Sequence, residues 1–363
     1  MASRKRIDRL NAMKPTTMRH VLPAIGLLSG LGVVIGLVFW SGVGQVLTIL
    51  SSAGVGLLLI ILLAPPEIVA ASEAWRGLFP RDRIPAFWIA LRASWIGMAV
   101  NTLLPVGTIG GEVVKARVLV LSGRSISDAA AATLVDKTVQ AIATLIWGTV
   151  GLLLLSWLTQ EDTLLRAGLI GAALLAIGIG GFVAIQVFCG VSTLARFGGH
   201  ILPSSAQHVT IADAKQFDSM VLAIYRRPGA LTRSLAIRLF SQIWLVSEVM
   251  LTAYLLGLNI GFTEALMLRA LIGAVRGLSF VVPAGLGLQE GAYVALGALI
   301  GLPADMMLAL SLASRLRETL PNLPALLMWQ HDEGRRFWRP KASNRSSSGL
   351  MRRFLSQSSI SRS

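Results

Sequence analysis

Long apolar segments without charged residues dominate this chain, and polar residues fall in short stretches between them. No Asp, Glu, Lys or Arg occurs in residues 21–66, 138–160 or 167–195. Each run is long enough to cross a membrane, because a helix needs about 20 residues to span a hydrocarbon core of about 30 Å. The pattern predicts helices at 21–40, 45–66, 86–104, 129–157, 165–188, 234–257, 264–282 and 305–330, with shorter apolar segments at 106–121 and 284–301.

The two short segments decide the predicted topology. If both cross the membrane, the chain has ten crossings, and the loop 189–233, which carries five Arg or Lys and two Asp, lies inside the cell. Cytoplasmic loops of membrane proteins carry an excess of Lys and Arg. We therefore predict ten crossings in a bacterial inner membrane, with both termini in the cytoplasm.

The two short segments also resemble each other. They read NTLLPVGTIGGEVVKARVL from Asn101 and LSFVVPAGLGLQEGAYVAL from Leu278, and in each a Glu follows the Pro by seven residues. Pro removes a backbone donor and Gly accepts unusual backbone angles, so we expect a helix that stops and restarts as a short half-helix. The residues shared by the pattern are Pro105, Gly107, Gly110, Glu112, Pro283, Gly285, Gly287 and Glu290.

Five predicted crossings separate the two segments, so the copies would point in opposite directions. The predicted fold is therefore an all-α, polytopic membrane helix bundle with two inverted repeats, each containing a half-helix broken by Pro and Gly. Such paired interruptions are a sequence indicator of a transporter's binding site. The alternative is that both segments are unrelated junctions between a loop and a helix.

Charged residues within predicted crossings form the candidate site, because each costs about 2.5–3.5 kcal/mol at the bilayer centre on insertion scales. The functional hypothesis is a polar cavity between the halves, whose cations bind an anionic headgroup and whose glutamates carry protons or pair with those cations. The alternative is a set of structural ion pairs, such as Glu290 with Arg315, and Glu112 could pair locally with Lys115. The residues are Glu112, Asp136, Lys137, Glu248, Arg269, Arg276, Glu290 and Arg315.

Composition supports the membrane class and limits the other chemistry. The chain is 54% hydrophobic and 14% charged, which is too apolar for a soluble protein of 363 residues. Its net charge of +15 comes mainly from residues 1–20 and 331–363. We predict a basic cytoplasmic segment at 1–20, a transmembrane domain at 21–330 and a basic, disordered cytoplasmic tail at 331–363. Basic tails are typical of the positive-inside pattern and attract anionic lipids, so we expect no nucleic-acid partner.

Few residue types suited to cofactor chemistry are present. Cys189 is the sole cysteine and the four histidines lack metal-ligand spacing, so we expect neither a disulfide nor a metal site. The sequence contains no GxxxxGK[ST], GxSxG or HExxH pattern. We expect no cofactor and no ATP-driven step, while the oligomeric state stays open.

The short-segment motifs, together with AAATLVDKTVQ from Ala130, resemble the flippase-like transmembrane domain of lysylphosphatidylglycerol synthases and its free-standing relatives. The likeness covers about residues 20–330, and it includes the family's Pro-x-Gly-x-x-Gly-Glu and Pro-x-Gly-x-Gly-x-x-Glu elements and its Asp-Lys pair at Asp136 and Lys137. The sequence after residue 330 departs from the synthases' large C-terminal aminoacyl-transfer domain, so we do not expect lysine transfer.

The resemblance implies that the protein moves a finished lipid between leaflets. Among the free-standing members it is most similar to those associated with bacterial hopanoid biosynthesis, which implies a hopanoid or a hopanoid glycolipid as cargo, besides an anionic phospholipid or glycolipid. The expected partners are that membrane lipid and lipid biosynthesis enzymes. The alternative function is a membrane-embedded lipid-modifying enzyme, or an accessory subunit of a lipid biosynthesis complex.

Overall fold

The computed structural model describes residues 54–104, 107–160, 162–190, 211–278 and 287–337, together with Thr48 and Ser51. The predicted first crossing, 21–40, lies outside the described residues. The described helices are α1 Gly56–Ile61, α2 Ala64–Arg76, α3 Phe87–Leu103, α4 Gly107–Leu121, α5 Ile126–Thr159, α6 Asp162–Ala184, α7 Ile211–Tyr225, α8 Pro228–Leu255, α9 Phe262–Leu278, α10 Leu288–Leu299, α11 Ala304–Thr319 and α12 Asn322–Phe337.

The predicted all-α class is confirmed, and the described residues contain no strand. Within the part of the chain that the structure describes, four helical segments are long and apolar enough to cross a membrane: Leu58–Arg76, Ile126–Thr159, Leu165–Phe188 and Pro228–Leu255. The chain divides into two compact units, Met1–Ala325 and Leu326–Ser363. The inverted relation between the two halves stays a prediction.

Two predicted helix boundaries are wrong, and proline explains both. The crossing predicted to end at residue 66 is instead interrupted after α1, and α2 begins at Ala64 with Pro65 and Pro66 in its first turn. Proline is favoured there because the first amides of a helix have no intrahelical acceptor. The crossing predicted for 305–330 is divided into α11 and α12 beside Pro321, whose ring clashes with the preceding turn.

Helices α3 and α4 form a close antiparallel hairpin. Gly97 of α3 faces Gly111 of α4, and a Cβ on Gly111 would lie 2.1 Å from the Gly97 carbonyl oxygen. The Gly111 amide donates a hydrogen bond of 2.7 Å to Asn101 Oδ1. Small residues allow helix backbones to approach closely in membranes, so this pair of glycines fixes α4 against α3.

Small residues also line the contact between α5 and α9, which run antiparallel. A Cβ on Gly148 would lie 3.2 Å from Ala274, and one on Gly277 would lie 3.2 Å from Thr144. Further along, Gly151 packs against Ala270 at a corresponding distance of 2.9 Å. The seam brings the polar half of α5, which contains Lys137, beside the arginines of α9.

The two larger apolar clusters among the described residues hold the helices together. One contains buried side chains of α8, α9, α10 and α11, including Val246 and Val249 of α8. The other joins α2, α3, α5 and α7 around Trp75. Helix α6 differs, since no residue of its most apolar stretch is buried. Its exposed Ile170, Leu174 and Ile177 are suited to contact lipid.

Candidate functional site

A polar cavity of about 420 Å³ lies at the Lys137 end of the seam between α5 and α9. Helices α2, α3, α5, α6, α8 and α9 all contribute to its wall. Two of its apolar lining residues, Leu175 and Ile179, belong to the outward-facing helix α6. Its polar lining residues are Glu67, Asn101, Lys137, Gln140, Thr144, Trp147, Gln242, Arg269 and Arg276.

Three of the four predicted headgroup cations, Lys137, Arg269 and Arg276, line this cavity. Arg269 and Arg276 are seven residues apart and so share a face of α9. The fourth cation, Arg315, is outside the lining, and so are Glu112 and Glu290. The structure therefore brings together part of the predicted set around one space.

Glu112 pairs with Lys137 across the α4–α5 contact at 2.7 Å between Oε1 and Nζ. The alternative local pair of Glu112 with Lys115 does not form among the described residues. Lys115 instead binds Asp136 at 2.8 Å and lies over the ring of Trp75, 4.2 Å from its centroid. Glu112 and Lys115 pair with α5 and not with each other, because Lys137 and Asp136 of α5 lie beside them and carry the opposite charges.

Asp136 is buried between two cations. Its carboxylate accepts hydrogen bonds from Lys115 and from Arg238 of α8, and the side chain is 2% exposed. The adjacent Lys137 points elsewhere, into the cavity. Asp136 therefore joins α4, α5 and α8 and does not contribute to the cavity wall.

Glu290 forms the corresponding pair in the second half. It is fully buried, binds Arg315, and accepts a hydrogen bond of 2.7 Å from the amide of Gly287, which has a φ of 77°. Glu112 and Lys137, like Glu290 and Arg315, are 25 residues apart. Each half therefore ties a short helix to the next long helix by a carboxylate and a cation.

The remaining motif residues surround the helix breaks. Gly107 is the first residue of α4 and Gly110 lies in its first turn. Gly287 precedes α10. Pro105, Pro283 and Gly285 lie outside the described residues. For each break, the structure describes the helix that ends before it and the helix that begins after it.

Comparison with known families identifies the chain. A family profile described as "Lysylphosphatidylglycerol synthase TM region" matches residues 27–325. The chain belongs to this family. No curated protein and no solved structure matches it significantly.

The lysylphosphatidylglycerol synthase TM region ends at the same residue as the first compact unit, 325. It contains the cavity and every ion pair described above. Membership in this family and the apolar helices make the protein an integral membrane protein related to lipid metabolism.

The same region contains a second group of charges, in which Glu248 and Arg276 belong to the predicted site and Glu67, Arg317 and Glu318 do not. Arg317 is 3% exposed and binds both Glu67 at 2.6 Å and Glu248 at 2.7 Å. Arg276 of the cavity binds Glu318. The predicted crossing 45–66 ended one residue before Glu67, but the adjacent Pro65–Pro66 pair is a helix-start signal that would have placed Glu67 within a helix, as α2 does.

Proposed function

We propose that the protein translocates a lipid between the leaflets of the bacterial inner membrane by sheltering its polar headgroup in the cavity between α5 and α9. The observation that carries this proposal is the cavity itself: its wall carries three cations and one carboxylate within a bundle that includes helices long and apolar enough to cross a membrane. Charges at this depth are costly unless they are paired or serve a pathway.

The size of the cavity supports a headgroup as its occupant. A volume of about 420 Å³ falls within the range of about 300–1,000 Å³ typical of small-molecule sites. Each acyl chain of a membrane lipid reaches about half of the roughly 30 Å hydrocarbon core, so the chains would stay outside. Leu175 and Ile179 of the lipid-facing helix α6 supply an apolar edge along which they could lie.

The composition of the wall supports movement of the headgroup and not permanent binding. Lys137 and Arg276 already have protein partners, Glu112 and Glu318. A headgroup that enters would exchange these contacts for its own and return them when it leaves. Such exchange limits the affinity of the cavity for the headgroup. A transported substrate must bind weakly enough to be released.

Reconstitution tests this proposal. Purified full-length protein in liposomes that contain a headgroup-labelled lipid should increase the rate at which label becomes accessible on the opposite leaflet. The mass of the lipid should stay unchanged. A new lipid species in mass spectrometry, without a change in leaflet distribution, would favour the membrane-embedded enzyme.

A further inference from the structure

We propose that the protein takes up a proton when a headgroup enters the cavity, and that the carboxylate of Glu318 holds this proton. This inference rests on the proposed function and adds a coupling ion to it. The proton comes from water as the headgroup displaces Glu318 from Arg276, and it returns to water when the headgroup leaves and the pair forms again. One O–H bond forms on entry, and the same bond breaks on release.

Glu318 lies behind the cavity wall, paired with a cation that the cavity exposes. Arg276 of α9 lines the cavity and binds Glu318 of α11. The Arg276 side chain is 28% exposed, whereas that of Glu318 is 9% exposed. A headgroup can therefore reach the guanidinium of this pair, while the carboxylate stays in the protein interior after its partner is taken.

Arg276 is the contact on which the negative charge of Glu318 depends. It is the cation within salt-bridge distance of this carboxylate in the part of the chain that the structure describes. Glu318 Oε2 is buried and has no hydrogen-bond partner among those residues. The nearby Asn322 side chain donates its hydrogen bond of 2.7 Å to the backbone carbonyl of Glu318 and not to the carboxylate.

The adjacent Arg317 is already occupied by two other carboxylates. Its side chain is 3% exposed and binds Glu67 of α2 at 2.6 Å and Glu248 of α8 at 2.7 Å. Arg317 lies outside the cavity lining, so a headgroup leaves these two pairs in place. Glu318 is therefore the member of this group that loses its cation on headgroup entry.

The other charged or titratable groups around Glu318 do not replace this cation. Glu248 of α8 and Tyr293 of α10 interact with it electrostatically, and neither carries a positive charge. Helix α3 also packs on α11. Its one charged residue, Arg92, forms no salt bridge with Glu318 in the described part of the chain, and α1 has no charged residue.

The buried group as a whole is balanced in charge, with three glutamates and three arginines. Arg269 belongs to it because it interacts electrostatically with Glu67 and Glu248. A headgroup that takes Arg276 removes one positive charge from this balance. Because a buried carboxylate without a cation is costly, it becomes neutral by taking up a proton. The members are Glu67, Glu248, Glu318, Arg269, Arg276 and Arg317.

Glu112 and Glu290 are less suited to this role. Glu290 keeps its partner Arg315, which lies outside the cavity lining. Glu112 pairs with Lys137 of the cavity, but the side-chain amide of Asn101 also donates to its carboxylate at 3.4 Å. A donor therefore remains for Glu112 when Lys137 turns to a headgroup.

Linked proton uptake makes headgroup binding depend on pH. Since the loaded protein holds more protons than the empty one, the affinity falls as the pH rises, by up to about tenfold per pH unit for one proton. A pH gradient across the membrane would then bias exchange, because the headgroup binds on the acidic side and leaves on the alkaline side.

Counting protons during binding tests the inference. Full-length protein in detergent-free peptidiscs is titrated calorimetrically with dihexanoyl phosphatidylglycerol, in buffers of equal pH that differ in their enthalpy of ionisation. We expect uptake of roughly one proton per lipid bound near neutral pH, and an affinity that falls between about pH 6 and about pH 8. Binding of the lipid without proton uptake would overturn the inference.

Glu318→Gln removes the proposed proton site and resembles its protonated form. It should bind the lipid without proton uptake, with an affinity that changes less than about twofold over the same pH range. At the alkaline end it should bind more tightly than the unaltered protein, a gain that damaged packing would not produce. Proton uptake that persists in this variant, or that disappears in Glu112→Gln instead, would overturn the assignment to Glu318.

A second variant and a control make the test independent of how well Glu318→Gln folds. In Arg276→Gln the carboxylate has lost its cation before the lipid arrives, so proton uptake on binding should again disappear. Asp305→Asn is the matched control, because Asp305 lies at the other end of α11, accepts from the Met306 amide and is outside the cavity lining. Proton uptake in this control should equal that of the unaltered protein.

Transport distinguishes this inference from the proposed function. In liposomes of phosphatidylethanolamine and phosphatidylglycerol with a trace of headgroup-labelled phosphatidylethanolamine, an imposed pH gradient should change the rate of leaflet exchange severalfold, and a proton ionophore should abolish that change. Exchange that ignores the gradient would overturn proton coupling alone. Proton-linked binding without exchange would contradict translocation alone, and absence of both binding and exchange would contradict both.

Discussion

At the residue scale, Asp136 neutralises two cations at once, the buried Lys115 and the 12% exposed Arg238. Asp136 is 2% exposed and accepts from Lys115 and Arg238. Asp136→Asn keeps the shape but leaves both cations without a charged partner, and breaking a buried pair costs about 3–5 kcal/mol. We expect a marked fall in the thermal unfolding midpoint of the purified protein. Asp82→Asn is the control, because Asp82 is 73% exposed, and a midpoint equal to that control would contradict a structural role for Asp136.

Loss of the Glu290 carboxylate should mainly lower stability, whereas loss of the Glu112 carboxylate should mainly stop transport. Glu290→Gln removes the buried carboxylate that Arg315 and the Gly287 amide both bind, so it should lower stability, and adding Arg315→Gln should restore part of it. Glu112→Gln should stop transport with a smaller loss of stability, since its partner Lys137 is 36% exposed and lines the cavity. Unfolding midpoints and liposome transport measure the two effects. Equal midpoints for both single variants would show that the distinction is wrong.

The sequence identified several charged residues of the site but could not assign their partners. The separation of seven residues correctly predicted that Arg269 and Arg276 share one face of a helix, because the helical period places residues at that spacing on the same side. Partner choice depends on which helix lies alongside, so Lys115 binds Asp136 and not its near neighbour Glu112. Arg238 was missed for the same reason, since nothing local to α8 marks it as a partner of α5.

At the element scale, the α3–α4 hairpin depends on two glycines. A methyl group on Gly111 would lie 2.1 Å from the Gly97 carbonyl oxygen, so Gly111→Ala must push the helices apart and weaken the Asn101 hydrogen bond. We expect reduced stability and reduced transport. Gly171→Ala is the matched control, because nothing lies within 4 Å of a Cβ at that position on α6. Equal unfolding midpoints for the two variants would contradict the tight packing described for the hairpin.

Helix positions could be predicted from the sequence where apolar runs are long, as for α5, α6 and α8. The predicted helix boundaries were wrong at Pro65–Pro66 and at Pro321. A hydropathy pattern contains no information about the backbone N–H that proline lacks, so it cannot show where proline ends or starts a helix. Tertiary packing of α7 against α5, through buried Val221 and Ile224, likewise has no local signature.

At the whole-molecule scale, the ten-crossing topology predicts that the two half-helix breaks face opposite sides of the membrane. In a Cys189→Ser background, single cysteines at Thr108 and Leu286 should react with membrane-impermeant thiol reagents from different sides, Thr108 from the periplasm and Leu286 from the cytoplasm. Five predicted crossings separate them. Labelling of both from one side would overturn the topology and the inverted relation of the halves.

The central claim is that a headgroup passes through the cavity between α5 and α9. Gly273 lines this cavity, and no atom lies within 4 Å of a Cβ built on it, so Gly273→Leu should fill the space without displacing the helices. Gly171→Leu places the same side chain at an exposed position of α6, outside the cavity. In liposomes with a headgroup-labelled lipid, we expect Gly273→Leu to slow leaflet exchange at least about tenfold at an unchanged unfolding midpoint, and Gly171→Leu to match the unaltered protein. Exchange by Gly273→Leu at the unaltered rate would contradict passage through this cavity.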